Sequence, residues 1–321
     1  MMYFKIEMEN QTSVTEFILQ GFPGHWHIRV FLFLFFLFVY ILTLAGNFII
    51  TALIFSDHHL HKPMYFFICN FSIAEIWYIT ATVPKMLSGF LTEQDTISFT
   101  GCFLQLYFFF SLGATECLIL TTMGYDRYLA ICIPLRYSMI MNNRTYTSLA
   151  TFCWVTGFTI NMVPIVLISN LPFCGPNKIN HFFCDPSPLM ELSCSRSQTI
   201  EIICYTYTSI LILSTCFLIM VSYMYILLAI LRIPSTTGRQ KAFSTCASHL
   251  IVVLIFYASI IFMYVRPTAK YPFDLDKVIG VFYAILVPLI NPFIYSLRNK
   301  DVKTALKKII WGRINILNVS Y

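Results

Sequence analysis

The stretch Met123-Gly124-Tyr125-Asp126-Arg127-Tyr128-Leu129-Ala130-Ile131-Cys132, followed by Pro134-Leu135-Arg136-Tyr137, decides how the chain is read. The apolar residues before it, ending in Leu118-Ile119-Leu120, suit lipid, and then an acid, a guanidinium and a phenol arrive together. That is the pattern of a membrane helix reaching water. An Asp beside an Arg at such a boundary can form a charge-assisted pair, which holds the guanidinium in one geometry until something competes for it. On these residues alone an Arg snorkelling from a helix end is an equal reading, and the rest of the chain has to choose.

The 321 residues are 58% hydrophobic, 17% aromatic and only 11% charged. A soluble domain carries roughly 25% charged residues, so this composition is that of an integral membrane protein, which the spans below make an all-α one. The formal charge of +6 does not point to nucleic acid, because the basic residues collect in short loops beside apolar stretches, where they report topology. Most of the eleven cysteines stand singly within apolar stretches as small hydrophobes, and no Cys-x-x-Cys pair suggests a metal. Cys102, Cys174, Cys184 and Cys194 differ in lying in or near polar segments.

Seven stretches reach the ~20 apolar residues that cross a bilayer: 30–56, 63–83, 101–125, 145–171, 202–231, 242–265 and 278–297. They divide the chain into a tail at 1–29, a seven-transmembrane bundle at 30–298 and a second tail at 299–321. Residues 1–20 are polar, so the first span is expected to serve as the targeting segment. Lys62, Arg127, Arg136, Arg144, Arg232, Arg239, Lys241, Arg298 and the basic residues after them share one side, where the acids are only Asp57, Asp126 and Asp301. By the positive-inside rule that side is cytoplasmic and the N-terminus lies outside, as expected of a multi-pass plasma-membrane protein. Asn10 is then the N-glycosylation acceptor that is both outside and clear of the bilayer, while the sequons at Asn70, Asn143 and Asn318 read as chance. On the outer side the four distinctive cysteines permit three connectivities. The pairing favoured is Cys102 to Cys184, tying the loop after the fourth span to the third, and Cys174 to Cys194, closing that loop on itself; free thiols are the alternative.

Two acids lie at membrane depth, Glu75 and Glu116, and an isolated charge there costs several kcal/mol. Both should face the bundle interior, and Asn291, about halfway along its own span, should converge on them. Two carboxylates in a low dielectric need either a proton or a cation between them, with a hydrogen-bonded structural pair as the alternative. Val302, Leu306, Ile309 and Ile310 recur at helical spacing beside Lys303, Lys307 and Lys308, which suits a short amphipathic helix on the lipid of the inner leaflet.

These residues carry a resemblance. Gly46-Asn47, Asp126-Arg127-Tyr128, Trp154 and Asn291-Pro292-Phe293-Ile294-Tyr295, each in its proper span, resemble the rhodopsin-like G-protein-coupled receptors. Pro63-Met64-Tyr65-Phe66-Phe67, residues 123–132, Ser222-Tyr223, Lys241-Ala242-Phe243-Ser244-Thr245-Cys246-Ala247-Ser248-His249-Leu250 and residues 288–299 are similar to the vertebrate olfactory receptors. Gly21-Phe22-Pro23-Gly24 and residues 171–177 resemble their family 11 branch. The chain departs from the family pattern at Gly124, where Ala is usual, at Glu75, where Asp is usual, and at Ala258, where Gly is usual. The resemblance implies a small volatile odorant as ligand, and a heterotrimeric G protein of the stimulatory olfactory type as partner, raising cyclic AMP. It implies no enzymatic activity and no cofactor, apart from a sodium ion at Glu75, Glu116 and Asn291.

Counting up the third span from Arg127 by helical turns places Leu106, Phe109, Phe110, Gly113 and Ala114 where a small ligand can reach. Tyr207 and Thr208 of the fifth span, and Tyr257, Ile260, Ile261 and Tyr264 of the sixth, lie at comparable depth, making an aromatic pocket with a few hydroxyls. Lipid-facing or packing positions are the alternative for each. At the other end, Pro292 lacks a backbone donor, and Tyr223 and Tyr295 arrive near Arg127, so that Asp126, Arg127, Tyr128, Tyr223, Asn291, Pro292 and Tyr295 form the coupling set. A transporter would show repeated halves or paired broken helices, and neither is visible. A membrane enzyme using Glu75 and Glu116 would need a nucleophile or metal spacing, and none accompanies them.

Overall fold

Hydrocarbon offers no water to a backbone N–H or C=O, so each apolar stretch satisfies its backbone internally, as a helix. A computed structural model describes residues 14–22, 24–92, 95–174, 176–195, 198–265, 273–298 and 301–308. Its seven spans are Trp26–Ser56, Pro63–Leu91, Phe99–Cys132, Asn143–Ser169, Gln198–Leu231, Thr236–Tyr264 and the composite 273–298. Several overrun the hydropathy bounds, because hydropathy marks the lipid whereas capping marks the helix end. Ser98 Oγ, Asn142 Oδ1 and Ser235 Oγ each accept a backbone N–H of the first turn, from Gly101, Thr145 and Gly238 at 3.1, 3.1 and 3.2 Å. Pro63 opens the second span at a position where its missing N–H costs nothing.

Two spans are not uniform. The fourth is broken between Asn143–Ile160 and Met162–Ser169 at Asn161. The seventh widens into a π-helical turn at Phe282–Leu286, a feature that shifts the facing of every residue around it.

The third span is the hub: 67% of its apolar window is buried, against 17% for the first and fourth. Phe31, Phe38, Phe55 and Phe217 are exposed, which forms the lipid-facing surface of a bundle whose outside is apolar. Where helices cross closely, small residues permit it. A Cβ on Gly46 would stand 3.1 Å from the Pro292 ring, and one on Gly157 would stand 2.1 Å from Thr115 Oγ1 and 2.9 Å from the Thr115 backbone nitrogen. Trp154 Nε1 donates to Asn70 Oδ1 at 3.0 Å, tying the fourth span to the second and burying one of the chance sequons in helix packing.

At one end a lid forms. The stretch read as tail contributes strand β1 (Glu16–Leu19), which lies between β2 (Asp95–Ser98), antiparallel, and β3 (Lys178–Ile179), parallel. Phe17 is fully buried beneath it, 5.9 Å from the Phe99 ring and edge-on to Phe173 at 5.5 Å. Disulfides join Cys102 to Cys184 and Cys174 to Cys194, with Cα separations of 5.6 and 5.5 Å. Lys85 pairs with Asp95 at 2.5 Å. At the opposite, basic end, 301–308 is helical with Val302 and Ala305 buried, and Tyr65 and Lys62 reach Asp301 at 2.9 and 3.4 Å. The amphipathic segment thus docks on the bundle, while Ile309, Ile310, Asn318 and the Asn10 acceptor lie outside the described residues.

Gly157 faces backbone as well as a side chain, so Gly157→Ala must push the third and fourth spans apart. It is expected to cost about 1–3 kcal/mol, read as a lower unfolding temperature of the purified protein in detergent.

Candidate functional site

Three polar constellations lie along the bundle axis. Nearest the lid, a cavity partly open to the surface is lined by Tyr78, Phe109, Phe110, Gly113, Ala114, Cys117, Ile160, Asn161, Tyr207, Thr208, Leu211, Ile212, Phe256, Ile260, Tyr264 and Tyr283. Eight of the residues expected from the sequence are among them. Leu106 stands outside, fully buried one turn nearer the lid with Phe17 and Cys184. Tyr257 also stands outside, beneath the floor, with its hydroxyl donating to the Cys117 carbonyl at 3.4 Å, and Ile261 packs against the core instead.

The residues not anticipated owe their place to local irregularity or to the second span. Tyr283 sits in the π-helical turn, and Asn161 at the break of the fourth span, where Nδ2 donates to the Phe110 and Gly157 carbonyls at 3.1 and 3.2 Å. Tyr78 stacks on Phe109 with ring centres 4.5 Å apart. The signal for it was available: Tyr78 lies three residues beyond Glu75, hence on the same inward face. Asp185 forms the roof. Its Oδ1 accepts the Ser187 N–H at 3.1 Å, and its Oδ2 accepts the Tyr264 hydroxyl at 3.3 Å, while Tyr264 and Tyr283 bond hydroxyl to hydroxyl.

In the middle layer Asn291 Nδ2 donates to Glu75 Oε1 at 2.5 Å. Glu116 is close enough to feel the Glu75 charge, and Asn47 lies beside Glu75. Four buried oxygens here, Asn47 Oδ1, Glu75 Oε2, Glu116 Oε1 and Asn291 Oδ1, find no donor. Such an all-oxygen set suits a hard cation or a proton rather than a transition metal, and no cluster of three or more His, Cys, Asp or Glu occurs among the described residues.

At the basic end Arg127 Nη2 pairs with Asp126 Oδ2 at 2.9 Å, and Asp126 is fully buried. Tyr137, from the loop that follows, donates to Asp126 Oδ1 at 2.7 Å. Burial and the adjoining Asp126 carboxylate push the Tyr137 phenol above its ordinary range, so it keeps its proton and remains a donor. Tyr223 meets His249 Nδ1 at 2.7 Å rather than the guanidinium, and His249 Nε2 lies 3.1 Å from the Leu120 carbonyl. A carbonyl only accepts, so Nε2 carries the proton and Nδ1 accepts from Tyr223. One neutral imidazole of the sixth span thereby bridges the fifth and the third. Tyr295 is buried, its ring edge-on to Phe71 and its hydroxyl without a partner. Tyr128 turns away to pack with Tyr125 and Tyr225.

The family model described as olfactory receptor matches residues 36–313. The chain belongs to the olfactory receptor family. It is 52% identical to human olfactory receptor 11H1 over 95% of this chain and 93% of that one, and 52% identical to human olfactory receptor 6B1 over 95% and 98%. Rat olfactory receptor 226 is 51% identical over 95% of each. The family is one of multi-pass membrane receptors and not of enzymes.

One further buried group belongs to the lid of the receptor. His181 is 2% exposed, stacked on Phe182 at 4.6 Å and edge-on to Phe183 at 4.4 Å, with neither ring nitrogen hydrogen-bonded. It fits because Gly280 leaves it room; a Cβ there would stand 3.2 Å away. Burial, aided by the Lys277 charge, lowers its pKa to about 3. In the unfolded chain the imidazole titrates near 6.5, so between these values the unfolded state binds the extra proton and stability rises with pH. This contribution is complete above about pH 6.5 and is lost progressively as pH falls toward about 3. Thermal unfolding in detergent should therefore move to lower temperature between pH 7.5 and pH 5, and His181→Gln should make that dependence shallower.

Proposed function

We propose that this chain is an odorant receptor of the plasma membrane, with its disulfide-bearing lid outside and its basic end in the cytoplasm. It binds small volatile ligands in the lid-side cavity and activates a heterotrimeric G protein of the stimulatory olfactory type, raising cyclic AMP. The observation that carries the reading is the stacking of three elements in one bundle: an aromatic-lined cavity, a buried oxygen layer and an Asp126–Arg127 pair at the basic end. The orientation is supported by the charge asymmetry of the loops, and the Cys102–Cys184 and Cys174–Cys194 bridges suit an oxidising exterior.

A ligand in the cavity presses on Phe256, Ile260 and Tyr264 of the sixth span. Outward movement of that span parts His249 from the Leu120 carbonyl and releases the Tyr223 hydroxyl. Arg127, leaving Asp126, then meets Tyr223 and the G protein, and ligand binding favours this arrangement by its greater affinity for it. Asn291 and Pro292 couple the seventh span to the same change through Glu75 and Gly46. Glu75, Glu116 and Asn291 would hold a sodium ion in the donor-poor oxygen layer; bound there it would offset one carboxylate charge, the other carboxyl keeping its proton, and favour the resting packing.

Expressed in cells beside the olfactory G protein, the receptor should raise cyclic AMP on exposure to at least one member of a broad volatile panel. Arg127→Ala should abolish that rise while surface expression, measured by antibody against an extracellular tag, persists; a normal response would overturn the assignment. Gly124 offers a subtler check. A Cβ there would meet His249 Cε1 and Ile219 Cγ1 at 3.7 Å, ordinary contact distance, and Ala in a helix is about 0.5–1 kcal/mol more favourable than Gly. Gly124→Ala should thus stabilise the resting hub and lower ligand-free cyclic AMP, with unchanged or higher basal output counting against it.

A further inference from the structure

The direction of each hydrogen bond around the cavity points to a ligand class, an inference that rests on the cavity being the odorant site. The Asp185 carboxylate only accepts, so the single proton of the Tyr264 hydroxyl goes to its Oδ2 at 3.3 Å. Tyr264 also bonds to Tyr283, and with the Tyr264 proton committed, Tyr283 must be the donor there. Tyr283 therefore lines the cavity with lone pairs and no free proton. The same holds opposite. Thr208 gives its proton to the Cys204 carbonyl at 3.0 Å, and Asn161 commits both amide hydrogens to the Phe110 and Gly157 carbonyls, leaving Oδ1 as its unspent end. Every polar group of fixed direction in the lining is thus an acceptor. Tyr78 and Tyr207 carry rotatable hydroxyls that serve either way, and no Lys, Arg, Asp or Glu is among the lining residues. Tyr78 and Tyr283 flank one ring, at 4.5 and 5.9 Å from the centre of Phe109.

We propose that the cavity selects neutral volatile alcohols, seated with the hydroxyl between Tyr78 and Tyr283. The ligand gives its proton to Tyr283 and accepts that of Tyr78, and its carbon skeleton lies among Phe109, Phe110, Phe256 and Ile260. An aldehyde, ketone or ether of the same skeleton turns lone pairs toward Tyr283 and leaves two acceptors facing without a proton. An unmet buried acceptor discriminates far more strongly than a methylene in an otherwise apolar pocket. A carboxylate meets no opposite charge in the lining, and the one carboxylate near an ammonium ion, Asp185, stands behind Tyr264 with both oxygens already accepting.

Dose–response curves for cyclic AMP in cells expressing the full chain test this with matched sets: 1-octanol against octanal, 2-octanone and heptyl methyl ether, and 2-phenylethanol against phenylacetaldehyde and benzyl methyl ether. In at least one set the alcohol should act at ~10- to 100-fold lower concentration than its partners. Tyr283→Phe should erase that gap by weakening the alcohol alone, whereas Tyr78→Phe should weaken alcohol and carbonyl alike, surface expression being measured for both. If Tyr283→Phe does not reach the surface, the wild-type ranking and Tyr78→Phe decide. Carbonyls, ethers, acids or amines that equal or outrank the alcohols overturn the inference and leave the odorant reading standing. Silence of the surface-expressed wild type toward a broad volatile panel overturns the odorant reading and this inference with it.

Discussion

Polar groups on a helix surrounded by other helices in lipid cannot fall back on water, so those of the third span must be answered by the rest of the molecule. That constraint organises the bundle from end to end. Gln105 Nε2 donates to the Ala81 carbonyl of the second span while its Oε1 accepts the Cys184 N–H of the lid, both at 3.0 Å. Tyr107 donates to the Phe158 carbonyl of the fourth span at 3.0 Å, and Asn161 of that span answers Phe110. Lower down, Tyr257 and His249 of the sixth span meet the carbonyls of Cys117 and Leu120. Each neighbour is registered against one rod, so a displacement of any of them is resisted at a named carbonyl.

The two ends of the rod are held by different kinds of bond. At the lid, two disulfides, a three-stranded sheet and the partly buried Lys85–Asp95 pair fix the geometry. Toward the basic end the sixth span is held by hydrogen bonds of neutral groups, Tyr257, His249 and Tyr223, and the Arg127–Asp126 pair is an exchangeable one. Neutral hydrogen bonds contribute about 0.5–1.5 kcal/mol each, which is within reach of the differential affinity of a small ligand for two states. In the proposed cycle the rigid end receives the ligand and the exchangeable end moves.

Hydropathy made the seven spans legible because lipid imposes the same demand on every stretch, and helical counting from Arg127 reached Phe109, Phe110, Gly113 and Ala114 because the third span is regular through that region. Counting went astray where the period changes. Tyr283 lies in a π-helical turn and Asn161 at a break, and Pro288 and Pro164, a few residues on, each lack the N–H that would bond back into the irregular turn, a signal the helical count did not use. Leu106 and Tyr257 miss the cavity in depth, the first lying one turn nearer the lid and the second beneath the floor against the Cys117 carbonyl. The strand at Glu16–Leu19 was hidden because four residues of alternating burial carry little signal, and its partners come from loops far away in sequence. His249 stands within a motif that the sequence displays, yet its bridging role depends on the positions of two other helices, which no local pattern encodes.

In the proposed cycle the buried carboxyl layer is what would let cavity and latch communicate without touching. Asn291 can satisfy Glu75 only while the seventh span keeps its present register, and that register is set next door by Pro292 against Gly46, where no side chain intervenes. A change in the sixth or seventh span that pulls Asn291 away leaves Glu75 facing Glu116 with its hydrogen bond lost, at a depth where an unanswered charge is most expensive. The layer therefore resists intermediate positions and favours one packing or the other. In the proposed cycle, ligand contacts at Phe256, Ile260 and Tyr264 on one side, and G-protein contacts beside Arg127 on the other, would bias the same two-state element, which is the physical content of coupling between sites that share no residue.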